Sequence, residues 1–184
     1  MRRLTEVLVS PTGFIGPYTE DFIITPGNVA DLSTSTMVYN FLAGPELALK
    51  TLPLGHVDVR DVAAAMVAGI EVKGNHRLLL TGEWFDYADA VKHIATTRPK
   101  LAPRLIKAIP TDQDRPIIDS NPALDVLGIT LTPWKKTLDD ALDSLLKLEE
   151  DWTEKGVDLG PLKNNQWLEF IVESGANTHV KFTN

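Results

Sequence analysis

LTEVLVSPTGFIGPY, residues 4–18, runs an apolar segment into Pro-Thr-Gly and then into a second Gly-Pro. Val7-Leu8-Val9 follows Leu4 and stops at Ser10-Pro11, which predicts a buried strand over residues 4–10, ended by a residue that cannot donate to a sheet ladder. A strand that hands its end to a tight Gly-containing loop is how an α/β sheet presents backbone to a ligand. The loop comes early in the given sequence, where a nucleotide-binding fold would only be starting.

The 184 residues suit one domain, or one domain with an appendage. Hydrophobic residues make up 43% and charged residues 23%, which is globular composition with enough apolar material for a core. The net charge of −7 comes without clusters of Lys and Arg, which argues against nucleic-acid and anionic-membrane surfaces. Having no cysteine excludes disulfides, thiolate metal sites and Cys nucleophiles, and it suits a reducing compartment. No apolar run approaches the roughly 18 residues of a membrane span. Arg2 and Arg3 precede only a short apolar stretch with no small-residue cleavage site, so no signal peptide is expected. The expectation is a cytoplasmic protein.

Downstream, residues 19–32 are predicted as a loop, and Ser33-Thr34-Ser35-Thr36 offers caps for a short helix in MVYNFLAG. Val57 and Val59 alternate with Asp58 and Arg60 as in a short strand. Asp61 is then expected to cap a helix with Val62, Ala65, Met66 and Ile70 facing inward. Arg77–Thr81 is predicted as a buried strand, and Tyr87 to about Ala95 as a helix. The prolines at 99, 103, 110 and 116 predict irregular chain over 96–116. Pro122–Leu127 is expected as a short helix closed by Gly128. Thr132–Trp152 is expected as a long amphipathic helix with Leu138, Leu142, Leu145, Leu146 and Trp152 as its stripe. After Lys155-Gly156 the character changes: Trp167–Glu173 and Thr178–Phe182 flank Ser-Gly-Ala-Asn, the pattern of a β-hairpin.

In this order the pieces resemble the C-terminal half of an extended short-chain dehydrogenase/reductase, in the branch of dihydroflavonol, cinnamoyl-CoA and fungal aldehyde/ketone reductases. PTGFIGP (Pro11–Pro17) looks like the family's Pro-x-x-hydrophobic-x-Gly-Pro loop after its sixth strand. HVDVRDVAAAMVAGIE (His56–Glu71) is similar to its F/H-V-D-V-R-D-V-A helix start, the most specific of the matches. DSNPALDVLGITLTPWKKTLDDALDSLLKLE resembles its closing segment and last helix. The resemblance covers residues about 4–152. It implies an α/β fold made of a partial Rossmann-type sheet and a substrate-binding lobe over residues 1–155; it does not cover residues 156–184, which the residue pattern makes an appended hairpin.

The resemblance also implies NADP or NAD as cofactor. Pro11, Thr12, Gly13, Phe14 and Ile15 would contact the nicotinamide carboxamide through backbone groups, with a strand-ending turn as the alternative. Ser33 and Thr34 would lie near the cofactor phosphates or the substrate, although a helix cap accounts for them more simply. Two family features are absent from the given sequence. Gly13-Phe14-Ile15-Gly16 has no third Gly for a pyrophosphate turn. Tyr18, Tyr39 and Tyr87 have Phe22, Ala43 and Val91 four residues on, so there is no Tyr-x-x-x-Lys pair. No catalytic residue is assigned, and redox activity of the chain alone is not expected.

His56, Asp58 and Asp61 have a superficial metal-ligand spacing, but Asp61 is better used as a cap, and no metal site is assigned. His76, His93 and His179 are expected to be solvated or satisfied, and Asp139-Asp140 and Glu149-Glu150-Asp151 to form a solvated helix face. Trp84, Phe85 and Tyr87 either line a substrate pocket or pack in the core. A parallel strand without its neighbours presents an open edge, so a homo-oligomer, a protein partner or the tail hairpin is expected to cover Leu4–Val9. Three functions follow: a substrate-binding lobe without complete redox activity, an NADP-dependent aldehyde or ketone reductase when completed by another chain, or a non-catalytic protein- or ligand-binding module.

Overall fold

The computed structural model describes residues 6–19, 21–42, 55–107 and 118–157. Its elements are β1 (Val7–Pro11), β2 (Gly13–Ile15), α1 (Thr36–Asn40), β3 (His56–Asp58), α2 (Val59–Gly69), β4 (His76–Leu80), α3 (Tyr87–Thr97), α4 (Asn121–Leu127) and α5 (Trp134–Glu154). Short 3-10 segments cover Val29–Ser35 and Pro99–Arg104. The architecture is mixed α/β with short parallel pairings. β1 runs parallel to β4, with Val7 opposite His76 and Pro11 opposite Leu80. β2 runs parallel to β3, with Gly13 opposite His56 and Ile15 opposite Asp58.

β1 and β2 are one extended run that changes partner at Thr12. The Thr12 N–H completes the β4 ladder by donating to the Leu80 carbonyl at 2.9 Å, and the Gly82 N–H donates to the His56 carbonyl at 2.9 Å. Position 82 must be glycine, because a Cβ there would stand 2.6 Å from the His56 carbonyl oxygen. Three strand ends therefore meet at Thr12, His56 and Gly82.

Two apolar clusters hold this junction. One gathers Ile15, Val38, Phe41, Tyr87, Ile94 and the buried stripe of α5. Leu138 and Leu142 are fully buried, as are Leu145 and Trp152 to within 2%. Each such Leu contributes about 1.5–3 kcal/mol. The other cluster packs α2 and α4 onto one face of β1–β4 through Val57, Val62, Ala65, Leu78, Leu80 and Leu127, with Val7 and Val9 against it.

Several expectations are corrected. The first strand is half-buried rather than buried, with Leu8 47% exposed, because among the described residues β4 covers only one edge and the helices only one face. Asp58, not Asp61, caps α2: its carboxylate accepts the Arg60 N–H at 2.8 Å. Packed on β1–β4, α2 turns Val62 and Ala65 inward and leaves Met66 and Ile70 57% and 77% exposed. The 3-10 segment over 99–104 interrupts the irregular chain expected there. α4 and its left-handed Gly128 stop agree with expectation, as does the α5 stripe except for a half-buried Leu146. Leu4 and the hairpin residues 158–184 lie outside the described residues. Val157, which follows α5, donates its N–H to the Trp152 carbonyl at 3.0 Å and packs on the first cluster. Among the described residues no helix is long and apolar enough to cross a membrane.

Candidate functional site

The expected site residues sit where the strands end. Pro11 closes β1, Thr12 makes the partner switch, and Gly13, Phe14 and Ile15 form β2. Ile15 is buried in the first cluster, whereas Phe14 is 41% exposed. In parallel α/β sheets the crevice beyond the carboxyl ends of strands is the usual ligand position. Pro11 is the last residue of β1, and Thr12–Ile15 continue past that end.

The Ser-Thr run does something other than capping. Ser35, at the start of α1, makes no side-chain cap hydrogen bond. Instead the Thr34 hydroxyl donates to the Phe14 carbonyl, and the Ser35 hydroxyl donates to the Gly16 carbonyl at 3.4 Å. The chain reaches this geometry through Ser33, whose φ of 51° lies in the left-handed region that L side chains rarely occupy. Thr34 thus joins the Pro11–Ile15 group directly, and Ser33 supplies the kink that brings it there.

Two further groups stand at the junction. The Thr12 hydroxyl donates to the Thr81 hydroxyl at 3.1 Å, and the Thr81 N–H donates to the Ser120 hydroxyl at 2.8 Å. The available sequence signal is positional: each threonine directly follows a strand. His56 is the second group. Its ring packs 5.2 Å from Phe85, which stacks on Trp134 at 4.9 Å, and burial pushes the imidazole down to about 4. It is therefore a neutral ring at pH 7.

The charged residues of the most specific motif are structural. Burial works to raise the Asp58 carboxyl. The Arg60 guanidinium at 2.6 Å, the Arg60 N–H and the Thr137 hydroxyl at 2.8 Å outweigh that and hold it below the usual carboxylate range. Arg60 also reaches Asp140 at 2.6 Å. Asp61 accepts the Thr132 N–H at 2.7 Å and its hydroxyl at 2.9 Å, tying α2 to the start of α5. Both carboxylates are engaged in these contacts rather than gathered around an open position beside His56.

Of the residues expected on a solvated face of the last helix, Glu150 is exposed, but Asp139, Asp140 and Glu149 are engaged. Asp139 pairs with Arg98 and with His93 at 3.0 Å, Asp140 with Arg60 and Lys136, and Glu149 with Arg104 and the Tyr39 hydroxyl. Apart from Lys136 on the same helix, these partners come from α1, α2, α3 and the chain from Arg98 to Arg104, all distant in sequence. His76 is satisfied by the Lys73 carbonyl at 3.0 Å; His179 lies outside the described residues. Phe85 and Tyr87 are core residues at 7% exposure, and Trp84 is half-buried.

The tyrosines are held as phenols. Burial raises Tyr18, whose hydroxyl donates to the Ser144 carbonyl at 3.0 Å. Burial, together with Glu149, raises Tyr39. Burial alone pushes Tyr87 up to about 12. The junction brings together backbone carbonyls and amides, the Thr12 and Thr81 hydroxyls and a neutral imidazole.

No family model matches the sequence, and no curated protein does. Solved structures do. Yeast methylglyoxal/isovaleraldehyde reductase Gre2, solved with NADPH, superposes with a TM-score of 0.63 at 23% identity over 77% of this chain and 47% of that one. Gre2 from Candida albicans gives 0.66 at 22% identity over 78% and 44%. dTDP-glucose 4,6-dehydratase from Bacillus anthracis, solved with NAD, gives 0.54 at 19% identity over 79% and 46%. The chain spans less than half the length of these structures. Its fold is that of a partial chain like the short-chain dehydrogenase/reductases, with the strand-end junction in place and no more than half of such a molecule around it.

Proposed function

We propose that the chain is a substrate-binding lobe related to NAD(P)-dependent carbonyl reductases, without complete redox activity as an isolated chain. Pro11, Thr12, Gly13, Phe14 and Ile15 form its cofactor-facing wall, with Thr34 fixing the wall from behind and Ser33 setting the turn. The observation that carries the reading is the partner switch at Thr12, which puts this backbone beyond the carboxyl end of β1–β4 and braces it by the Thr34 hydroxyl.

The open edge of β1 favours a second reading: an NADP-dependent aldehyde or ketone reductase, active in the cytoplasm when another chain supplies the dinucleotide-binding half. Titration of NADPH and NADH into the purified chain separates the two. No saturation up to millimolar cofactor supports the lobe without redox machinery. Saturable binding below about 100 μM, a free energy near −5.5 kcal/mol, refutes it and returns the enzyme reading to the isolated chain.

A further inference from the structure

Two of the described histidines spend a ring nitrogen on a neighbour, His76 on the Lys73 carbonyl at 3.0 Å and His93 on Asp139 at 3.0 Å. His56 does not. The Gly82 N–H takes its backbone carbonyl, but no hydrogen bond joins its ring to a described residue. The ring is nevertheless held in place. It lies 5.2 Å from Phe85, Phe85 stacks on Trp134 at 4.9 Å, and the edge of Trp134 meets His93 at 5.7 Å. β2 and β3 are in register at Gly13 and His56, and side chains paired across parallel strands share a face, so the imidazole has no side chain beside it on β2. His56 is only part-buried, which leaves it within reach of a dissolved molecule. A neutral imidazole carries one N–H donor and one bare nitrogen acceptor. Withdrawing such groups from water without a partner is costly, and a phenyl ring would make the same contact with Phe85 without that cost.

The charged residues around this position are already committed. Asp58, on the same face of β3, is spent on Arg60 and on the Thr137 hydroxyl; Arg60 is spent on Asp58 and Asp140; Asp61 is spent on Thr132. A carboxylate or phosphate ligand would find no free cation among these groups, and an ammonium ligand no free carboxylate. Among the described residues no group of three or more His, Asp or Glu side chains suits a metal ion either. The hydroxyls of Thr12 and Thr81, at the preceding rung, are uncharged as well. A ring with one donor and one acceptor in such surroundings suits the hydroxyl or carbonyl oxygen of an uncharged molecule.

We propose that His56 is a ligand-contacting residue, its imidazole hydrogen-bonding the hydroxyl or carbonyl oxygen of an uncharged molecule at the start of β3, with Phe85 fixing the ring. The inference rests on the reading of the chain as a substrate-binding lobe. The test is NMR of the histidine ring nitrogens in the full chain, titrated with benzyl alcohol, benzoate and benzylammonium as probes of one shape and three charges. Benzyl alcohol is expected to shift the His56 nitrogens saturably, to leave those of His76 unmoved, and to bind at least about tenfold more tightly than either charged probe. His56→Phe keeps a ring against Phe85 and is expected to bind benzyl alcohol about tenfold more weakly, with an unfolding midpoint no lower than the parent's. The ring signals of the parent chain decide the matter if His56→Phe fails to fold. His56 nitrogens that benzyl alcohol does not move, equal binding of a charged probe, or parent-like binding by folded His56→Phe overturns the proposal. Shifts confined to the amides of Thr12–Ile15 overturn it and leave the lobe reading standing, whereas saturable NADPH binding overturns the lobe reading whatever His56 does.

Discussion

Replacing Asp58 with Ala removes one carboxylate that serves three groups from different parts of the chain. It caps α2 through the Arg60 N–H, pairs with the Arg60 guanidinium, and accepts the buried Thr137 hydroxyl of α5. Loss of an N-cap costs about 1 kcal/mol. Thr137 is 4% exposed, so stranding its hydroxyl costs about 1–3 kcal/mol more. Arg60 contributes little to the loss, because its side chain is 44% exposed and retains Asp140 at 2.6 Å. The expected destabilisation is about 2–4 kcal/mol, and with a urea m-value of about 2 kcal/mol/M the unfolding midpoint falls by about 1–2 M. Asp58→Asn keeps an acceptor for the cap and recovers about half. The folded carboxyl lies below its unfolded value, so its stabilisation is present above pH about 4 and is lost as the pH falls through the folded value. Urea denaturation at pH 7 and pH 3 measures both effects. An Asp58→Ala unfolding free energy within about 0.5 kcal/mol of the parent at pH 7 would refute the view that this residue ties the β3–α2 corner to α5.

Thr34→Val is expected to cost only about 1 kcal/mol, yet to speed amide exchange at Ile15 and Gly16, because it frees the Phe14 carbonyl; unchanged exchange contradicts the bracing role. The His56 imidazole is expected to titrate near 4 in the folded chain. Its neutral form is favourable above the ordinary value of about 6.5, and the chain loses stability as the pH falls from there towards 4; an NMR midpoint near 6.5 is inconsistent with the packed ring. Gly82→Ala, which forces a Cβ to 2.6 Å from the His56 carbonyl, is expected to lose about 1–3 kcal/mol. Gly128→Ala, with open space but a φ of 65°, is expected to lose about 1 kcal/mol, and thermal unfolding that ranks the two the other way contradicts the crowding at the junction.

The elements were legible in the sequence wherever a local signal is strong. Gly128 stops α4, the Leu stripe defines α5, and Val7-Leu8-Val9 marks β1, because periodicity and chain-breaking residues act within a turn or two of themselves. The family-like order of the segments was legible for the same reason. What the sequence did not contain is who meets whom across the fold. Asp58 and Asp61 stand three residues apart and both suit a cap; only the approach of Thr137 from α5 and of Thr132 just before it assigns them. Thr34 and Ser35 have the composition of a cap, and only the neighbouring end of β2 turns their hydroxyls to other carbonyls. Met66 and Ile70 fit an inward stripe, and the register of α2 on β1–β4 leaves them outside. The sequence by itself therefore determined the elements, their order and their resemblance, since these depend on short-range chemistry. The tertiary structure alone decided the partner switch at Thr12, since it depends on pairing between residues about forty and about seventy positions apart in the chain.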